Sequence, residues 1–165
     1  MNYKRIMRHL SNVRAVVRRA FPSHTLDAIE HAIRETEANH DGQISFAVEA
    51  TLDIKSLRAG KSARERALEV FSQLRVWDTE HNNGVLIYLL LADRNVEIVA
   101  DRGIYARLGQ KTWEAICREM EAAFREGQFE AGMLAGVHAV GEHLVRHFPA
   151  HSGKSNEISD SPVVL

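Results

Sequence analysis

The sequence is poor in cysteine, in long apolar runs and in net charge, and each shortage excludes a class of protein. Among its 165 residues only Cys117 is a cysteine, so an internal disulfide is impossible and a reducing compartment is favoured. Its apolar runs are too short to cross a bilayer, and its first residues lack the apolar centre of a secretion signal. With a formal net charge of -1, the chain has no bulk attraction for nucleic acid. We therefore expect a cytoplasmic protein without a nucleic-acid partner.

The motifs of several common chemistries are also missing. A cysteine-phosphatase loop requires arginine six positions after its cysteine, and Ala123 stands there relative to Cys117. The sequence contains no glycine-rich loop that would cradle a phosphate. His143 and His147 have a spacing that can hold a transition metal, but no third ligand accompanies them, and a helix-end role explains His147. The sequence thus contains no recognised catalytic nucleophile.

Basic residues are concentrated at the start of the chain, where residues 1–20 contain no acid. Apolar residues recur there at steps of three and four, which predicts an amphipathic helix over residues 3–20. Two interpretations are open: a helix that lies on an anionic membrane surface or docks a partner, and an extra helix packed on the domain with solvated arginines. The predicted membrane or partner surface consists of Lys4, Arg5, Arg8, Arg14, Arg18 and Arg19.

The strongest structural signal is the apolar run from Gly84 to Ala92, which predicts a strand covered on both faces. A polar turn follows at residues 93–95, and residues 96–101 alternate in polarity, so a β-hairpin is expected. Residues 43–52 alternate in the same way and predict an earlier strand. The helix between these strands makes a βαβ unit, whose right-handed crossover would place the two strands parallel.

Helical patterns account for most of the remaining chain. Apolar residues at helical spacing predict helices with one buried face at residues 25–39, from Trp113 to Phe124 and from Phe129 to Phe148. Ser62 with Glu65 forms a capping box before a further helix. The fold class is therefore α/β, a three-layer α/β/α sandwich around a small mixed sheet. The predicted segments are a basic amphipathic helix at residues 1–20, an α/β domain at 21–149 and a disordered tail at 150–165.

From Thr25 onward, over about residues 25–149, the chain resembles the TPM domain family, which is shared by thylakoid-lumen proteins of photosystem II repair and by bacterial envelope proteins. The resemblance implies an α/β/α sandwich and one of the roles proposed for the family: acid phosphatase, calcium binder or accessory factor of membrane protein complexes. It rests on Glu37, Asp41-Gly42-Gln43-Ile44, Asn82-Asn83-Gly84-Val85-Leu86-Ile87-Tyr88, Asp101-Arg102-Gly103-Ile104, Trp113, Gly132, Val137, Val140 and Phe148-Pro149.

A candidate cation site lies where the first predicted helix ends beside the starts of the two parallel strands. Glu37, Asp41, Asn83 and Asp101 should approach this edge, and oxygen ligands without cysteine suit Ca²⁺ or Mg²⁺. One expected register opposes it: if Asp93 faces Val96 across the turn, Asp101 lies beside Tyr88, about 13 Å too far along the strand. The alternative is that these residues are turn and capping residues.

The opposite edge of the sheet is a second candidate site. Thr51, Asp53, Asp93 and Arg94 are predicted there, at the carboxyl ends of the parallel strands, where open α/β sheets usually bind ligands. A small molecule is the ligand class that this position favours. A simple polar turn explains Asp93 and Arg94 equally well.

The functional hypothesis from the sequence is a non-catalytic accessory or binding module that acts with a membrane-associated protein partner. The basic helix and the missing nucleophile motivate it. The alternative is a divalent-cation-dependent, acid phosphatase-like hydrolase that uses Glu37, Asp41 and Asp101 as ligands of Ca²⁺ or Mg²⁺.

Overall fold

Two parallel strands, β1 (Gln43–Glu49) and β2 (Gly84–Leu90), form the middle of the sheet in the computed structural model, which describes residues 13–151 and 155–165. β3 (Asn95–Ala100) pairs antiparallel with β2, and β4 (Val163–Val164) pairs parallel with β1. The strand order is β3-β2-β1-β4. The predicted buried central strand, β-hairpin and parallel βαβ pair are confirmed.

Helices cover both faces of this sheet, which confirms the predicted three-layer α/β/α architecture. The apolar side chains of β2 alternate between two clusters, with Ile87 in the first and Leu86 in the second. The first cluster is covered by α1 (Val13–Ala20), α2 (Ser23–Glu37), α5 (Arg102–Leu108), α6 (Gln110–Arg125) and α7 (Phe129–His147), and the second by α3 (Ile54–Arg58) and α4 (Ala63–Gln73).

The register of the hairpin differs from the expected one. Leu90 pairs with Asn95 and Val85 with Ala100, so the loop comprises residues 91–94. Arg94 adopts a positive φ of 50°, which lets the four-residue loop close. As a result, the amide of Asp101 donates to the carbonyl of Gly84 at 2.8 Å, and Asp101 lies beside the start of β2 rather than beside Tyr88.

The expected disordered tail at residues 150–165 differs from the structure over residues 155–165. The amide of Leu165 donates to the carbonyl of Val48 at 2.9 Å, which adds β4 to the free edge of β1. Ile158 and Val163 pack against the second cluster. The polar composition of the segment conceals these two apolar contacts and the backbone groups that the sheet edge offers.

Candidate functional site

Glu37, at the end of α2, holds the start of β1. Its side chain is buried, and Oε1 accepts a hydrogen bond from the backbone amide of Ile44 at 2.7 Å. This contact fixes the turn between helix and strand, because the carboxylate replaces a strand partner for that amide. The structure therefore gives Glu37 a defined structural role at the predicted cation edge.

Asp41 joins this edge to the chain beyond α7. Its amide donates to the carbonyl of Phe148 at 2.8 Å, and Oδ1 accepts from the amide of His151 at 3.0 Å. Oδ2 contacts Nδ1 of the His151 ring. The carboxylate is thus occupied by backbone and imidazole donors, and the residue ties residues 148–151 to the turn before β1.

Asn83 and Asp101 lie on either side of Gly84 at the same edge. The fully buried Asn83 donates through Nδ2 to the carbonyl of Asp41 at 3.0 Å. Asp101 is the N-cap of α5, and its Oδ1 accepts from the amide of Arg102 at 2.7 Å. Asn83 Oδ1 and Asp101 Oδ2 are both buried and have no hydrogen-bond partner among the described residues. Each of these two oxygens retains acceptor capacity and could by itself act as a ligand atom.

The fit to a divalent cation is confined to these two oxygens. Glu37 and Asp41 each hold backbone amides of their own chain. Among residues 13–151 and 155–165, no group of three or more histidine, cysteine, aspartate or glutamate side chains could hold a metal ion. Two protein oxygens suit Mg²⁺, which keeps several of its waters, better than Ca²⁺, which takes six to eight oxygen ligands.

The second predicted site contains residues that belong to their local elements. Asp53 is the N-cap of α3 and accepts from the amides of Lys55 and Ser56 and from the hydroxyl of Ser56. These hydrogen bonds, chiefly those from Ser56, lower the pKa of Asp53. Arg94 donates from Nη1 to the carbonyl of Arg125 at 3.4 Å.

Thr51 and Asp93 follow neighbouring strands and lie at one edge of the sheet. The amide of Ala92 donates to the carbonyl of Ala50 at 3.0 Å, which aligns the ends of β1 and β2. The structure thus brings these two residues to the predicted edge, where Asp53 and Arg94 support the adjoining helix and turn.

The described part of the basic N-terminal helix is packed on the domain. Val17 is buried in the first cluster, and Phe21 after the helix packs against Phe46 and Phe129, with ring centroids 5.7 and 5.6 Å apart. Arg18 and Arg19 are exposed. Arg14 lies on the same helix, whereas Lys4, Arg5 and Arg8 lie outside the described residues. Apolar packing and a solvated basic side are therefore both present on α1.

A partly buried polar network that sequence reasoning missed joins α4 to the sheet. Glu49 Oε2 accepts from the hydroxyl of Tyr88 at 2.7 Å and from Arg66 Nε at 2.8 Å. The hydrogen bond to Glu49 raises the pKa of Arg66, and burial raises that of Tyr88. The sequence could have indicated the pairing of Glu49 with Tyr88, because alternation places both on the side of the sheet that faces the second cluster. No local pattern connects Arg66 with either residue.

A cleft of about 450 Å³ runs along the outer edge of β3, between α4 and α6. Side chains occupy two outward backbone groups of this edge strand: Glu121 accepts from the amide of Val96 at 3.0 Å, and Arg64 donates to the carbonyl of Ile98 at 2.7 Å. Cys117 lines the cleft, and burial raises its pKa to about 12. The thiol is thus no activated nucleophile, in agreement with its predicted place on an apolar helix stripe.

Helices on both faces of a mixed four-stranded sheet, with polar residues at the starts of its parallel strands, define an α/β/α sandwich protein. The family model described as TPM domain matches residues 18–143. The chain belongs to the TPM domain family, as the motifs around Gly84 and Asp101 predicted. Among curated proteins, no match is found.

Solved structures share this fold. The chain is similar to the BA42 protein from the psychrophilic bacterium Bizionia argentinensis, with 28% identity and a TM-score of 0.77 over 88% of this chain and 95% of that one. It also resembles the N-terminal domain of a protein from P. gingivalis, with 21% identity, a TM-score of 0.62 and coverage of 78% and 81%. The N-terminal domain of the cg2496 protein from Corynebacterium glutamicum has 14% identity, a TM-score of 0.54 and coverage of 86% and 78%. The last two similarities concern the fold alone.

In the part of the chain that the structure describes, every helix is too short or too polar to cross a bilayer.

Proposed function

We propose that this TPM domain protein is a non-catalytic accessory module that binds a membrane-associated protein partner through its basic N-terminal helix. The proposal rests on the way α1 packs on the domain: Val17 is buried, while Arg18 and Arg19 are exposed. A helix anchored along one side leaves its guanidinium groups available to an acidic partner or to anionic lipid beside it. The proposal includes a peripheral position at the cytoplasmic surface of a membrane.

The use of the candidate carboxylates supports a binding role over catalysis. Glu37 and Asp41 hold backbone amides, and burial keeps the Cys117 thiol protonated because its pKa is raised to about 12. A catalytic base or nucleophile needs a group with a pKa near the working pH and access to substrate. A surface of exposed cations needs neither condition.

The test is a double charge reversal on the helix. The full chain carrying Arg18→Glu and Arg19→Glu should lose binding to anionic phosphatidylserine-containing vesicles in flotation, and lose the membrane-protein partner recovered by the wild-type chain from detergent extracts. Lys55→Glu with Arg58→Glu is the matched control, since these exposed cations lie on α3, across the sheet. Equal losses in both variants, or none in the first, would remove α1 from the account.

A second candidate function is that of a divalent-cation-dependent, acid phosphatase-like hydrolase. The observation that favours it is the pair of buried, unpartnered oxygens, Asn83 Oδ1 and Asp101 Oδ2, among the described residues. These two residues would hold Mg²⁺ or Ca²⁺ at the edge of the sheet. A cation bound there would polarise a phosphoryl oxygen.

Calorimetric titration with MgCl₂ and CaCl₂ tests this candidate. Cation binding by the wild-type chain should disappear in Asp101→Asn, which keeps an oxygen for the helix cap but removes the charge. Asp53→Asn is the control, because Asp53 caps α3 as Asp101 caps α5. Phosphate release from p-nitrophenyl phosphate should follow the same pattern. A wild-type chain that produces no binding heat with either cation would eliminate this function.

A further inference from the structure

The outer edge of β1 is already occupied by an extended segment of the chain itself, residues 155–165. β4 pairs parallel with β1, with Ala47 opposite Val163 and Val48 opposite Val164. This pairing covers two positions of a seven-residue strand. The edge therefore accepts an added strand, and the strand it holds is a short one.

The start of β1 forms hydrogen bonds with the backbone of the added segment. Gln43 is fully buried, and its Oε1 accepts from the amides of both Glu157 and Ile158, at 2.9 and 3.0 Å. Contacts to backbone amides are independent of side-chain identity. An extended peptide with another sequence can make them equally well, so Gln43 supplies affinity without restricting the partner.

Side chains of α2 and of the second cluster contact the side chains of residues 158–163. Asp160 is buried to 8% exposure and pairs with Arg34 Nε at 3.5 Å. Ser161 Oγ donates to Glu30 Oε2 at 2.8 Å. Ile158 and Val163 pack against the second cluster. The segment that fits this edge thus carries an acidic side chain between two apolar ones, in the spacing Ile-x-Asp-x-x-Val.

Open space adjoins the segment. A surface cleft of about 310 Å³ lies beside Ser45, between Leu74, Arg75 and Asp78 on one side and residues 157–159 with Val163 on the other. Unfilled space next to the added strand forfeits dispersion contacts that a larger side chain would make. A peptide with larger side chains at these positions could therefore make contacts that the chain's own segment does not.

We propose that the β1 edge is a docking groove for an extended peptide of a second protein, one that carries the pattern apolar-x-Asp-x-x-Val, and that residues 155–165 occupy the groove in its absence. The inference rests on the proposed role as a protein-binding module and assigns that module a surface distinct from α1. A partner that fills the groove displaces the chain's own segment and pairs parallel with β1. Linkage to the domain gives that segment an effective concentration on the order of millimolar, so the partner must overcome this competition.

The test uses the full chain and a fluorescent peptide with the sequence of residues 155–165. In the double variant Asp160→Ala with Val163→Asp, the internal segment loses its ion pair and an apolar contact. This variant should bind the peptide at least about 10-fold more tightly than the wild-type chain, because the groove is then open. The control variant Glu119→Ala with Val145→Asp changes an exposed acid and an exposed valine elsewhere and should bind like the wild type.

Charge exchange identifies the groove itself. Adding Arg34→Glu to the open variant should weaken binding of the peptide several-fold, and a peptide with lysine in place of its aspartate should restore it. Equal or absent binding by the open variant, or binding insensitive to Arg34→Glu, would overturn the assignment. A wild-type dimer that the peptide dissociates would assign the edge to a second copy and overturn the partner. Arg18 and Arg19 are intact in every variant, so this result is separate from that of the vesicle test.

Discussion

At the scale of single residues, the carboxylates of the candidate edge are parts of the fold. Glu37 supplies the acceptor for the amide of Ile44, a residue that is 1% exposed. A buried amide without an acceptor carries its full desolvation cost. Glu37 therefore stabilises the turn from α2 to β1 whether or not a cation binds nearby.

Replacement of Glu37 tests this role. Glu37→Ala should lower the free energy of unfolding by about 1–3 kcal/mol, because the Ile44 amide is left without a partner. Glu37→Gln keeps an oxygen in place and should lower it less. Urea denaturation followed by circular dichroism measures both. Equal stability of the two variants would contradict the hydrogen-bond explanation.

His143 should make stability depend on pH. Burial, and then the charge of Arg146, lower the pKa of His143 below its usual value near 6.5. The unfolded chain thus binds the proton more readily than the folded chain. The corresponding stability is complete above pH 6.5 and is lost as pH falls toward the folded pKa.

Melting temperatures between pH 7.5 and 5 measure this contribution. The wild-type chain should lose more stability over that range than His143→Gln, which does not titrate. His24→Gln is the control, since the His24 side chain is 77% exposed. Parallel pH curves for the wild type and His143→Gln would refute the assignment.

At the scale of elements, glycines set how closely strands and helices approach. A methyl group on Gly84 would clash with the backbone carbonyl of Val76, which cannot move without displacing the chain before β2. A methyl group on Gly136 in α7 would meet the flexible side chain of Met120 in α6. The same substitution therefore has different physical consequences at the two positions.

Gly84→Ala should be far more destabilising than Gly136→Ala. At Gly136 the clash with Met120 is offset in part by the helix preference of alanine, about 0.5–1 kcal/mol over glycine. At Gly84 the clash is with a backbone carbonyl and no helix preference offsets it, so the free energy of unfolding should fall by about 3 kcal/mol or more. Chemical denaturation of both variants provides the comparison. A smaller loss for Gly84→Ala would show that the approach of Val76 is not rigid.

At the scale of the whole molecule, one sheet connects two apolar clusters. Successive residues of β2, such as Leu86 and Ile87, belong to opposite clusters, so neither layer can lose its core without exposing the strand between them. Unfolding should therefore be a single cooperative transition.

Trp113, which lies in α6 and belongs to the first cluster, can test this cooperativity. Trp77 is 48% exposed, so the variant Trp77→Phe leaves Trp113 fluorescence as a probe of the first layer. In that variant the midpoint by fluorescence should coincide with the midpoint by far-ultraviolet circular dichroism, which reports on the helices of both layers. Separate midpoints would indicate layers that unfold independently.

Much of the fold was predictable because its signals are local. The continuous apolar run of β2, the alternation in β1 and the capping box at Ser62 each depend on residues close in sequence. The register of the hairpin was not, since the left-handed Arg94 allows a four-residue loop where a shorter turn was expected. Of the candidate site, the gathering of Asp41, Asn83 and Asp101 at one edge was predicted, but not the use of their atoms.

The sequence by itself determined the layers of this protein, its parallel strand pair and its family, because periodicity and motif spacing are properties of neighbouring residues. Only the tertiary structure decided which oxygens are occupied and where residues 155–165 lie. Those outcomes depend on partners far apart in the chain, such as Glu49 with Arg66 and Gln43 with Glu157. A hydrogen bond between such residues leaves no periodic trace in the sequence, and its geometry exists only once the sheet has formed.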